Sequence, residues 1–425
     1  MSHLATATRA QIAAHQIERL RLGLAHILPR NHFYQRKLAN ISLPIKNLDD
    51  LRRLPFTTKQ ELITDQETNP PFGSNLTYPI SDYIRLHQTS GTTGHPLKLL
   101  DTQESWEWWA ECWSQVYEAA GVKRDDIIFI AFGFGPFIGF WSAYEGAKRL
   151  GALTVAGGGM DSLQRLRAIQ EVKATVLVCT PSYALRLAEV AQEHGITTSE
   201  SSIRVTIHAG EPGTSIVATR QRIEKAWGAR AYDHAGMTEI GAFGFACSEQ
   251  RGVHVNEREF IAEIIDPQTE QPVKEGEIGE LVLTNLGRWG TPGLRYRSGD
   301  LVRHGGYQCK CGRTFLNLDG GVLGRADDML IIRGVNVYPS TLADILHRFP
   351  EVAEYRVIVT KKGPLDEISL QVECPAELTT HIQEELHSSL SLRMPIEAVP
   401  TGSLPRFELK AKRVEDRRPR VWQSS

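Results

Sequence analysis

Between residues 126 and 208, short apolar runs alternate with amphipathic segments, and this alternation limits the possible folds more than any other feature of the chain. The run DIIFIAF at 126–132 is typical of a buried strand, and a helical pattern over 141–150 follows it. The same order continues with a strand, a helix, a strand, a helix and a strand over 153–156, 163–171, 175–179, 183–194 and 203–208. Strands separated by helices pair in parallel, so we predict an α/β layered fold with a largely parallel sheet.

Two later regions show other patterns. Residues 245–318 consist of short strands and turns, which predicts a β-rich subdomain. After Gly324 a β-α-β order returns over about 100 residues, which is enough for a small domain with its own core. The whole chain of 425 residues also exceeds one ordinary hydrophobic core. We therefore predict a large N-terminal α/β domain over 1–326, which includes the β-rich subdomain, and a small mobile α+β C-terminal domain over 327–425.

The composition is that of an ordinary globular protein and argues against several other classes. A net charge of -2 gives no bulk attraction to nucleic acid or to an anionic membrane. The first residues lack the apolar core of a signal peptide, and the longest apolar runs are too short to span a bilayer. Six cysteines are too few for a disulfide framework in a chain of this length. We expect a cytoplasmic protein that binds neither nucleic acid nor membranes.

The segment HQTSGTTGHP at 87–96 concentrates hydrogen-bond donors in a short loop. Two glycines leave backbone N–H groups accessible and four hydroxyl side chains add further donors, so the loop suits a polyphosphate. It is not a Walker loop, because the Gly-Lys-Ser/Thr ending is absent. An ordinary turn is the alternative for any loop of small residues, but the density of donors favours phosphate binding. The candidate residues are Thr89, Ser90, Gly91, Thr92, Thr93 and Gly94.

Four later motifs carry candidate catalytic groups: YDHAGMTE at 232–239, RYRSGD at 295–300, GRADD at 324–328 and LPRFELKAKR at 404–413. Glu239 can hold Mg²⁺ and Thr238 a phosphate oxygen, whereas an isolated Thr-Glu pair is more often a helix cap. Asp300 follows a glycine turn and can accept hydrogen bonds from both ribose hydroxyls, although aspartate is common in turns. A basic run such as the last motif is usually a solvated tail, an interpretation that leaves its Leu-Pro-Arg beginning unexplained.

Taken together and in this order, these five motifs resemble the signature of the adenylate-forming superfamily of acyl-CoA ligases and peptide-synthetase adenylation domains. The short N-terminal region and the runs LPFTTK at 54–59, TPSY at 180–183 and GEP at 210–212 are similar to the phenylacetate–CoA ligase branch. Two positions depart from the family pattern. His95 stands where a loop lysine is usual, and Leu409 replaces a usual glycine.

The resemblance implies a role for each motif. Lys410 would lie between the α-phosphate and the carboxylate during adenylation, with Lys412 as the second choice. Thr238 and Glu239 would hold a phosphate oxygen and Mg²⁺, and Asp327 would be the hinge of the small domain. The nucleotide-binding residues that the resemblance implies are Thr89, Ser90, Gly91, Thr92, Thr93, Gly94, Gly210, Glu211, Pro212, Tyr232 against adenine, Asp233, Asp300 on the ribose, and Arg325.

The segment FGFGPFIGFW at 132–141 resembles the acyl-pocket segment of the same branch. Aromatic side chains there can stack on a flat ring in offset or edge-on geometry. For any single residue, a core position at the end of a strand is nearly as good an interpretation. The predicted pocket residues are Phe134, Gly135, Phe137, Phe140, His234, Ala235 and Gly236.

A candidate zinc site lies in the β-rich subdomain. Cys247, His254, Cys309 and Cys311 supply three thiols and an imidazole, which is a usual tetrahedral ligand set for zinc. The Cys-x-Cys spacing is tighter than the commoner Cys-x2-Cys, but some phenylacetate-ligase relatives carry a Cys/His site of this kind. Four protein ligands leave no open position for catalysis, so we predict a structural zinc.

The resemblance implies an ATP-dependent ligase that adenylates an aromatic carboxylic acid with Mg²⁺ and ATP and passes the acyl group to coenzyme A, releasing AMP and pyrophosphate. Phenylacetate, benzoate, anthranilate and hydroxybenzoate all suit an aromatic pocket, and the choice among them depends on one or two side chains. One alternative is an enzyme that loads the acid onto a carrier-protein thiol. Another is a binding protein without activity, which should have lost Lys410, Glu239 or Asp300. A homodimer is an expectation from family analogy alone.

Overall fold

The structure is a computed structural model that describes residues 3–89, 96–135, 138–139, 141–326, 329–332, 335–362, 365–407 and 411–418. Side-chain caps begin many of its helices; Thr102, for example, accepts a hydrogen bond from the Ser105 N–H at the start of α5. The α-helices are α1 (Arg9–Ile27), α2 (His32–Lys37), α3 (Leu48–Leu51), α4 (Lys59–Thr68), α5 (Gln103–Ala119), α6 (Trp141–Leu150), α7 (Ser162–Glu171), α8 (Pro181–Glu193), α9 (Val217–Trp227), α10 (Pro339–His347) and α11 (Thr379–Leu390).

The strands lie in one large sheet and three small ones. They are β1 (Tyr83–Gln88), β2 (Lys98–Thr102), β3 (Ile127–Ile130), β4 (Leu153–Ala156), β5 (Val176–Cys179), β6 (Val205–His208), β7 (Arg230–Met237), β8 (Gly241–Phe245), β9 (Gly252–Val255), β10 (Phe260–Ile265), β11 (Ile278–Asn285), β12 (Tyr296–His304), β13 (Asn317–Arg325), β14 (Leu330–Ile332), β15 (Val335–Val337), β16 (Tyr355–Lys362), β17 (Leu365–Glu373), β18 (Ile396–Val399) and β19 (Val414–Asp416).

The predicted parallel sheet is present. Strands β4, β3, β5, β6 and β7 lie in this order, and each neighbouring pair is parallel. All four residues of β5 and all four of β6 are buried, as expected for strands with helices on both faces. The prediction of an α/β layered fold is confirmed.

Strand β7 changes the character of the sheet halfway along its length. Its first half pairs in parallel with β6, from Arg230 to Asp233. Its second half pairs antiparallel with β8, where His234 faces Phe245. The antiparallel strands β8 to β13 therefore continue the same sheet, which has eleven strands within the described residues. The β-rich stretch is joined to the parallel part by backbone hydrogen bonds.

The main core is rich in aromatic side chains contributed by α5. Trp106, Trp109, Trp113 and Tyr117 recur at helical spacing and are nearly fully buried. Helix α6 packs directly on this face, because Gly146 lacks a side chain; a Cβ there would lie 2.4 Å from the Cβ of Trp113. This close contact fixes α5 and α6 beside the antiparallel half of β7.

A second, separate core lies in the C-terminal part. Strands β18, β17, β16 and β19 form a four-stranded sheet in that order. The apolar faces of α10 and α11 pack on it, with Leu342, Leu346, Ile382 and Leu386 almost fully buried. The proposed boundary residue Asp327 lies outside the described residues, so the division at 326/327 stays a prediction. No helix among the described residues is long and apolar enough to cross a membrane.

Candidate active site

Three of the predicted motifs meet at one cavity, although they are far apart in the sequence. The turn after β7, the start of β12 and the end of β13 all contribute to its wall. Its volume is about 280 Å³. The lining residues are Thr58, Lys59, Met237, Glu239, Glu280, Tyr296, Arg297, Ser298, Gly299 and Arg325.

Glu239 lies on this wall with only 10% of its side chain exposed. Its Oε1 is 3.4 Å from Nζ of Lys59, the first residue of α4. The Tyr296 hydroxyl is also close, and burial together with the charge of Glu239 raises the pKa of Tyr296 well above its usual value. Sequence analysis noted Lys59 only as part of the LPFTTK run and gave it no role. The structure shows that it can neutralise Glu239 when no cation is bound there.

A buried ion pair supports the Thr238–Glu239 turn from behind. Arg288 and Asp101 both have fully buried side chains, and two hydrogen bonds of 2.6 and 2.8 Å join them. Arg288 Nη1 also donates to the carbonyls of Thr238 at 2.6 Å and Glu239 at 3.3 Å. Burial opposes ionisation of Asp101, but Arg288 and His87 outweigh it and hold its pKa below the usual value. Sequence analysis missed this pair, since 187 positions separate its members.

Asp300 and Arg325 face each other on neighbouring strands. They are register partners between β12 and β13, and Arg325 Nη1 lies 3.5 Å from Asp300 Oδ1. Arg325 also donates to the Ser298 carbonyl at 3.3 Å. Gly299 makes this possible: its φ of +73° suits glycine, and a Cβ would lie 3.0 Å from Arg325 Nη2. Of these two residues predicted to contact the nucleotide, Arg325 lines the cavity and Asp300 lies beside it.

Tyr232 and Asp233 lie away from the cavity wall. Tyr232 is 6% exposed and belongs to the main core, with Arg230 over its ring at 5.8 Å. Its predicted contact with adenine stays a prediction. Asp233 accepts hydrogen bonds from the backbone N–H and the hydroxyl of Ser215. Burial raises the pKa of Asp233 to about 6, although these bonds act in the opposite direction.

Glu211, from the GEP run, connects the two cores. Its Oε1 accepts the Ser182 N–H at 2.8 Å, and its Oε2 accepts the Ala411 N–H at 2.7 Å. Gly210 beside it has a φ of +97°, and Pro212 is exposed. Since Ala411 follows Lys410 directly, Glu211 holds the chain next to the predicted catalytic lysine.

Further contacts support this arrangement of the C-terminal part. Arg413 donates to Ser182 at 3.3 Å and forms a double hydrogen bond with Glu354 at 2.5 and 3.0 Å. Thr219 Oγ1 lies 2.6 Å from Nδ1 of the buried His347, which connects α9 to α10. The C-terminal part is therefore docked on α8, α9 and the GEP run.

Thr89 closes the base of the predicted phosphate loop. Its backbone N–H donates to the Leu97 carbonyl, and its Oγ1 accepts the Leu97 N–H, both at 3.0 Å. The loop thus connects the paired strands β1 and β2. Several predicted site residues lie outside the described residues: Ser90, Gly91, Thr92, Thr93, Gly94, Phe137, Phe140, Asp327 and Lys410. The two departures from the family pattern, His95 and Leu409, do so as well.

The predicted acyl-pocket residues that are described fall into two connected groups. Phe134 contacts Trp141 and Tyr144 of α6 edge-on, with ring centroids 4.7 and 6.3 Å apart. His234 lies on β7 against Trp113 of α5, with centroids 4.2 Å apart. The two groups are connected through the close contact of α5 with α6, which carry Trp113 and the Trp141–Tyr144 pair, respectively. Gly135, Ala235 and Gly236 are all at least partly exposed.

The cysteine–histidine cluster is assembled. The ligand atoms of Cys247, His254, Cys309 and Cys311 all lie within 4.8 Å of one another. Sγ of Cys247 and Cys309 are 3.8 Å apart, and Cys311 Sγ is 3.6 Å from His254 Nε2. Tetrahedral zinc, with Zn–S of about 2.3 Å and Zn–N of about 2.0–2.1 Å, places ligand atoms about 3.5–3.8 Å apart.

The surroundings of the cluster suit a metal as well. Nδ1 of His254 is 3.3 Å from the Phe315 carbonyl, and a bond there directs Nε2 towards the thiols. The Glu249 N–H donates to Cys247 Sγ at 3.4 Å, which lowers the pKa of this thiol, although burial has the larger effect and raises it. The donor set and its geometry therefore fit zinc.

Comparison with known proteins agrees with the fold. The sequence profile of AMP-binding enzymes matches residues 35–287, and that of the AMP-binding enzyme C-terminal domain matches 334–418. The phenylacetate-coenzyme A ligase of Thermus thermophilus is 36% identical over 392 residues, 91% of this chain and 86% of that protein. That of Escherichia coli is 34% identical over 432 residues, 97% of this chain and 96% of that protein.

Among solved structures, 2-hydroxyisobutyryl-CoA ligase in the postadenylation state with R3-HIB-AMP has a TM-score of 0.92 at 29% identity. The match covers 97% of this chain and 91% of that one. The same ligase in the thioesterification state, with 2-HIB-AMP and CoA, has a TM-score of 0.74. The arrangement of this chain is thus more similar to the postadenylation state. The chain belongs to the phenylacetate–CoA ligase-like adenylate-forming enzymes and is an AMP-forming ligase that uses ATP to join an acid to coenzyme A.

Proposed function

We propose that the acid is an aromatic carboxylic acid. The observation that carries this proposal is the aromatic surroundings of the predicted pocket residues: Phe134 contacts Trp141 and Tyr144 edge-on, and His234 lies against Trp113. A flat ring gains offset or edge-on contacts in such surroundings. The curated relatives named as phenylacetate-coenzyme A ligases support the same substrate class.

In the first half-reaction the carboxylate attacks the α-phosphorus of ATP, so that an acyl-adenylate forms and pyrophosphate leaves. Negative charge then has to be neutralised in a site with little water. Lys410 and the hydrogen-bond donors of the 89–94 loop would neutralise part of this negative charge. Asp300 would hold the ribose. Arg325 would reach the nucleotide from beside Asp300.

Glu239 would hold the Mg²⁺ that accompanies ATP. A carboxylate oxygen is a preferred ligand of this hard cation, and the side chain lies on the cavity wall. The metal would neutralise charge on the phosphates, while Lys59 would be displaced from its present partner. Arg288 keeps the backbone of Thr238 and Glu239 in place throughout.

In the second half-reaction the coenzyme A thiol attacks the adenylate, and AMP leaves. We propose that the C-terminal part first turns about Asp327, which removes Lys410 and gives the thiol access. The Ala411–Glu211 hydrogen bond has to break in this step. The thioester then forms without a nucleophilic side chain of the protein.

A carrier-protein thiol is the alternative acceptor of the acyl group. A small aliphatic 2-hydroxy acid is the alternative substrate. The solved 2-hydroxyisobutyryl-CoA ligase favours the second alternative, since it resembles this chain over nearly its full length. Exchange of pyrophosphate into ATP, measured with a panel of aryl and small aliphatic acids, separates the substrates. We expect the highest kcat/KM with an aryl acid; a preference for small aliphatic acids across the panel would contradict the proposal.

We further propose that Cys247, His254, Cys309 and Cys311 bind a structural zinc ion. Purified protein should contain zinc in a stoichiometric amount by elemental analysis, because the four ligand atoms already lie within 4.8 Å of one another. Cys311→Ser should lose the metal and lower the melting temperature. Cys374→Ser is the matched control, since Cys374 lies outside the cluster. A metal-free wild type with reduced cysteines would contradict this proposal.

The cytoplasmic location and the homodimer stay predictions.

A further inference from the structure

His234 is buried in the wall of the proposed acyl pocket, and its two ring nitrogens have different environments. Nδ1 is 2.6 Å from the carbonyl oxygen of Gly244. A backbone carbonyl can only accept, so Nδ1 carries the hydrogen and donates it. Burial lowers the pKa of His234 to about 4, so the ring is neutral at physiological pH. A neutral ring with hydrogen on Nδ1 leaves Nε2 as an acceptor.

Among the described residues, none donates a hydrogen bond to this Nε2. His234 as a whole is 6% exposed, and a group bound in front of Nε2 can supply the donor that this acceptor lacks among the described residues. The ring cannot turn away easily, because it is held between the Nδ1 hydrogen bond and the Trp113 ring.

Gly236 keeps the approach to Nε2 open. This residue is exposed, and a Cβ placed on it would lie 3.1 Å from Nε2 of His234. Any larger residue would therefore fill the space in front of the nitrogen. Gly236 lies three positions before Glu239, so this space adjoins the end of β7 that leads to the proposed adenylation centre.

We infer that Nε2 of His234 accepts a hydrogen bond from a hydroxyl or amino group on the acyl part of the substrate. The inference rests on the proposed function, because it uses the acyl pocket at this end of β7. It narrows the substrate to acids that carry a hydrogen-bond donor. A hydroxyaryl or aminoaryl acid and a small 2-hydroxy acid share this chemistry, and their size distinguishes them.

The test compares matched acids on the wild-type enzyme. Suitable pairs are hydroxyphenylacetate with phenylacetate, hydroxybenzoate with benzoate, aminobenzoate with benzoate, and 2-hydroxyisobutyrate with trimethylacetate. A site that contains a buried polar group discriminates strongly against an analogue that leaves it unpaired, so we expect kcat/KM to favour the donor-bearing acid by about 10- to 100-fold in at least one pair.

Two variants assign the preference to His234. His234→Phe keeps an aromatic ring against Trp113 but has no acceptor, so the preference should fall to about threefold or less. His234→Gln keeps an acceptor oxygen and should retain part of the preference. The KM for ATP should change little in either variant, which distinguishes a contact with the acid from general damage. Retention of the full preference in His234→Phe would overturn the assignment.

The outcomes separate the two proposals. Equal use of both members in every pair, with aryl acids active, would overturn the inference and leave the proposed function standing. A preference for 2-hydroxyisobutyrate over trimethylacetate, with aryl acids inactive, would support the inference and contradict the aromatic substrate. Failure of every acid would contradict both. If His234→Phe does not fold, the wild-type pairs still decide the question.

Discussion

At the scale of single residues, the site depends on charges that the fold places with little exposure. Glu239 is partly neutralised by Lys59, and Arg288 is held by Asp101 while it donates to the Thr238 and Glu239 carbonyls. A guanidinium suits this position, since its five donors can serve a carboxylate and two carbonyls at once. The proposed metal and phosphate groups therefore rest on a rigid support.

Lys410 is proposed to act only in the first half-reaction. Lys410→Ala should abolish pyrophosphate exchange into ATP but leave thioester formation from supplied acyl-adenylate nearly unchanged, because the lysine is withdrawn before the thiol attacks. Lys412→Ala is the matched control, as Lys412 is a nearby exposed lysine of the same run. Normal exchange in Lys410→Ala would refute the assignment.

The Arg288–Asp101 pair should show strong coupling. Arg288→Met leaves a buried carboxylate unpaired, so it should lower the free energy of unfolding by about 3–5 kcal/mol. The double variant Arg288→Met/Asp101→Asn removes both charges and should be more stable than the single variant. Urea unfolding of both variants checks this, and equal stability would show that the pair is not coupled. Both should have reduced pyrophosphate exchange, since the Thr238–Glu239 turn loses its support.

At the scale of elements, β7 and the segment after Arg406 organise the chemistry. The second half of β7 places His234 against Trp113 and ends two residues before Glu239, which lies on the cavity wall. On the other side, Arg406 pairs with the buried Glu373 at 2.6 Å and with Glu189 of α8 at 3.3 Å. Such links fix both ends of the segment that contains Lys410 while the C-terminal part is docked.

Glu211 should affect one half-reaction more than the other. Glu211→Ala removes the acceptor for the Ala411 N–H, so the docked arrangement loses a charge-assisted hydrogen bond. Pyrophosphate exchange should fall by about tenfold, whereas thioester formation from supplied adenylate should be unchanged or faster. Glu189→Gln is a comparison at another contact of the same interface, where Glu189 pairs with Arg406. An equal loss in both half-reactions would mean that Glu211 has no specific role in docking.

At the scale of the whole molecule, buried neutral histidines make stability depend on pH. His208 and His234 both have pKa values lowered to about 4 by burial. In the unfolded chain the value is about 6.5, so below this pH the unfolded state binds protons that the folded state excludes. The free energy of unfolding should therefore decrease as the pH falls from 6.5 towards 4.

His208 offers the clearest test, since it lies in the core between Thr206 and Cys179. In His208→Asn the unfolded chain no longer binds a proton at position 208, so this site no longer contributes to the pH dependence of stability. The loss of stability between pH 6.5 and about 5 should then be smaller than in the wild type by about 1.5 kcal/mol. Urea unfolding at the two pH values measures this difference, and an identical loss in both proteins would contradict it.

The sequence was sufficient to predict the features of the fold and of the candidate site that depend on local patterns. The helix and strand order between 126 and 208 follows from apolar periodicity, and the motifs around Glu239, Asp300 and Arg325 meet at one cavity as the family resemblance implied. The switch of β7 from parallel to antiparallel pairing had no local signal, because it depends on which strands arrive on either side.

The side chains that support the site could not be predicted from a single sequence either. Asp101 and Arg288 are isolated charges in the sequence, and only the fold makes them a pair. Tyr232 was predicted to lie against adenine from its aromatic character, and its burial in the main core was not predicted. Side-chain direction along a strand depends on register, which the motif alone does not fix.

The central claim is that the chain adenylates an aromatic acid and transfers it to coenzyme A. The most direct measurement is acid-dependent release of AMP by the purified protein with ATP and Mg²⁺, with and without coenzyme A, across the panel of paired acids. We predict sustained AMP release that requires both an aryl acid and coenzyme A. Release that ignores coenzyme A, or none with any aryl acid, would contradict the account.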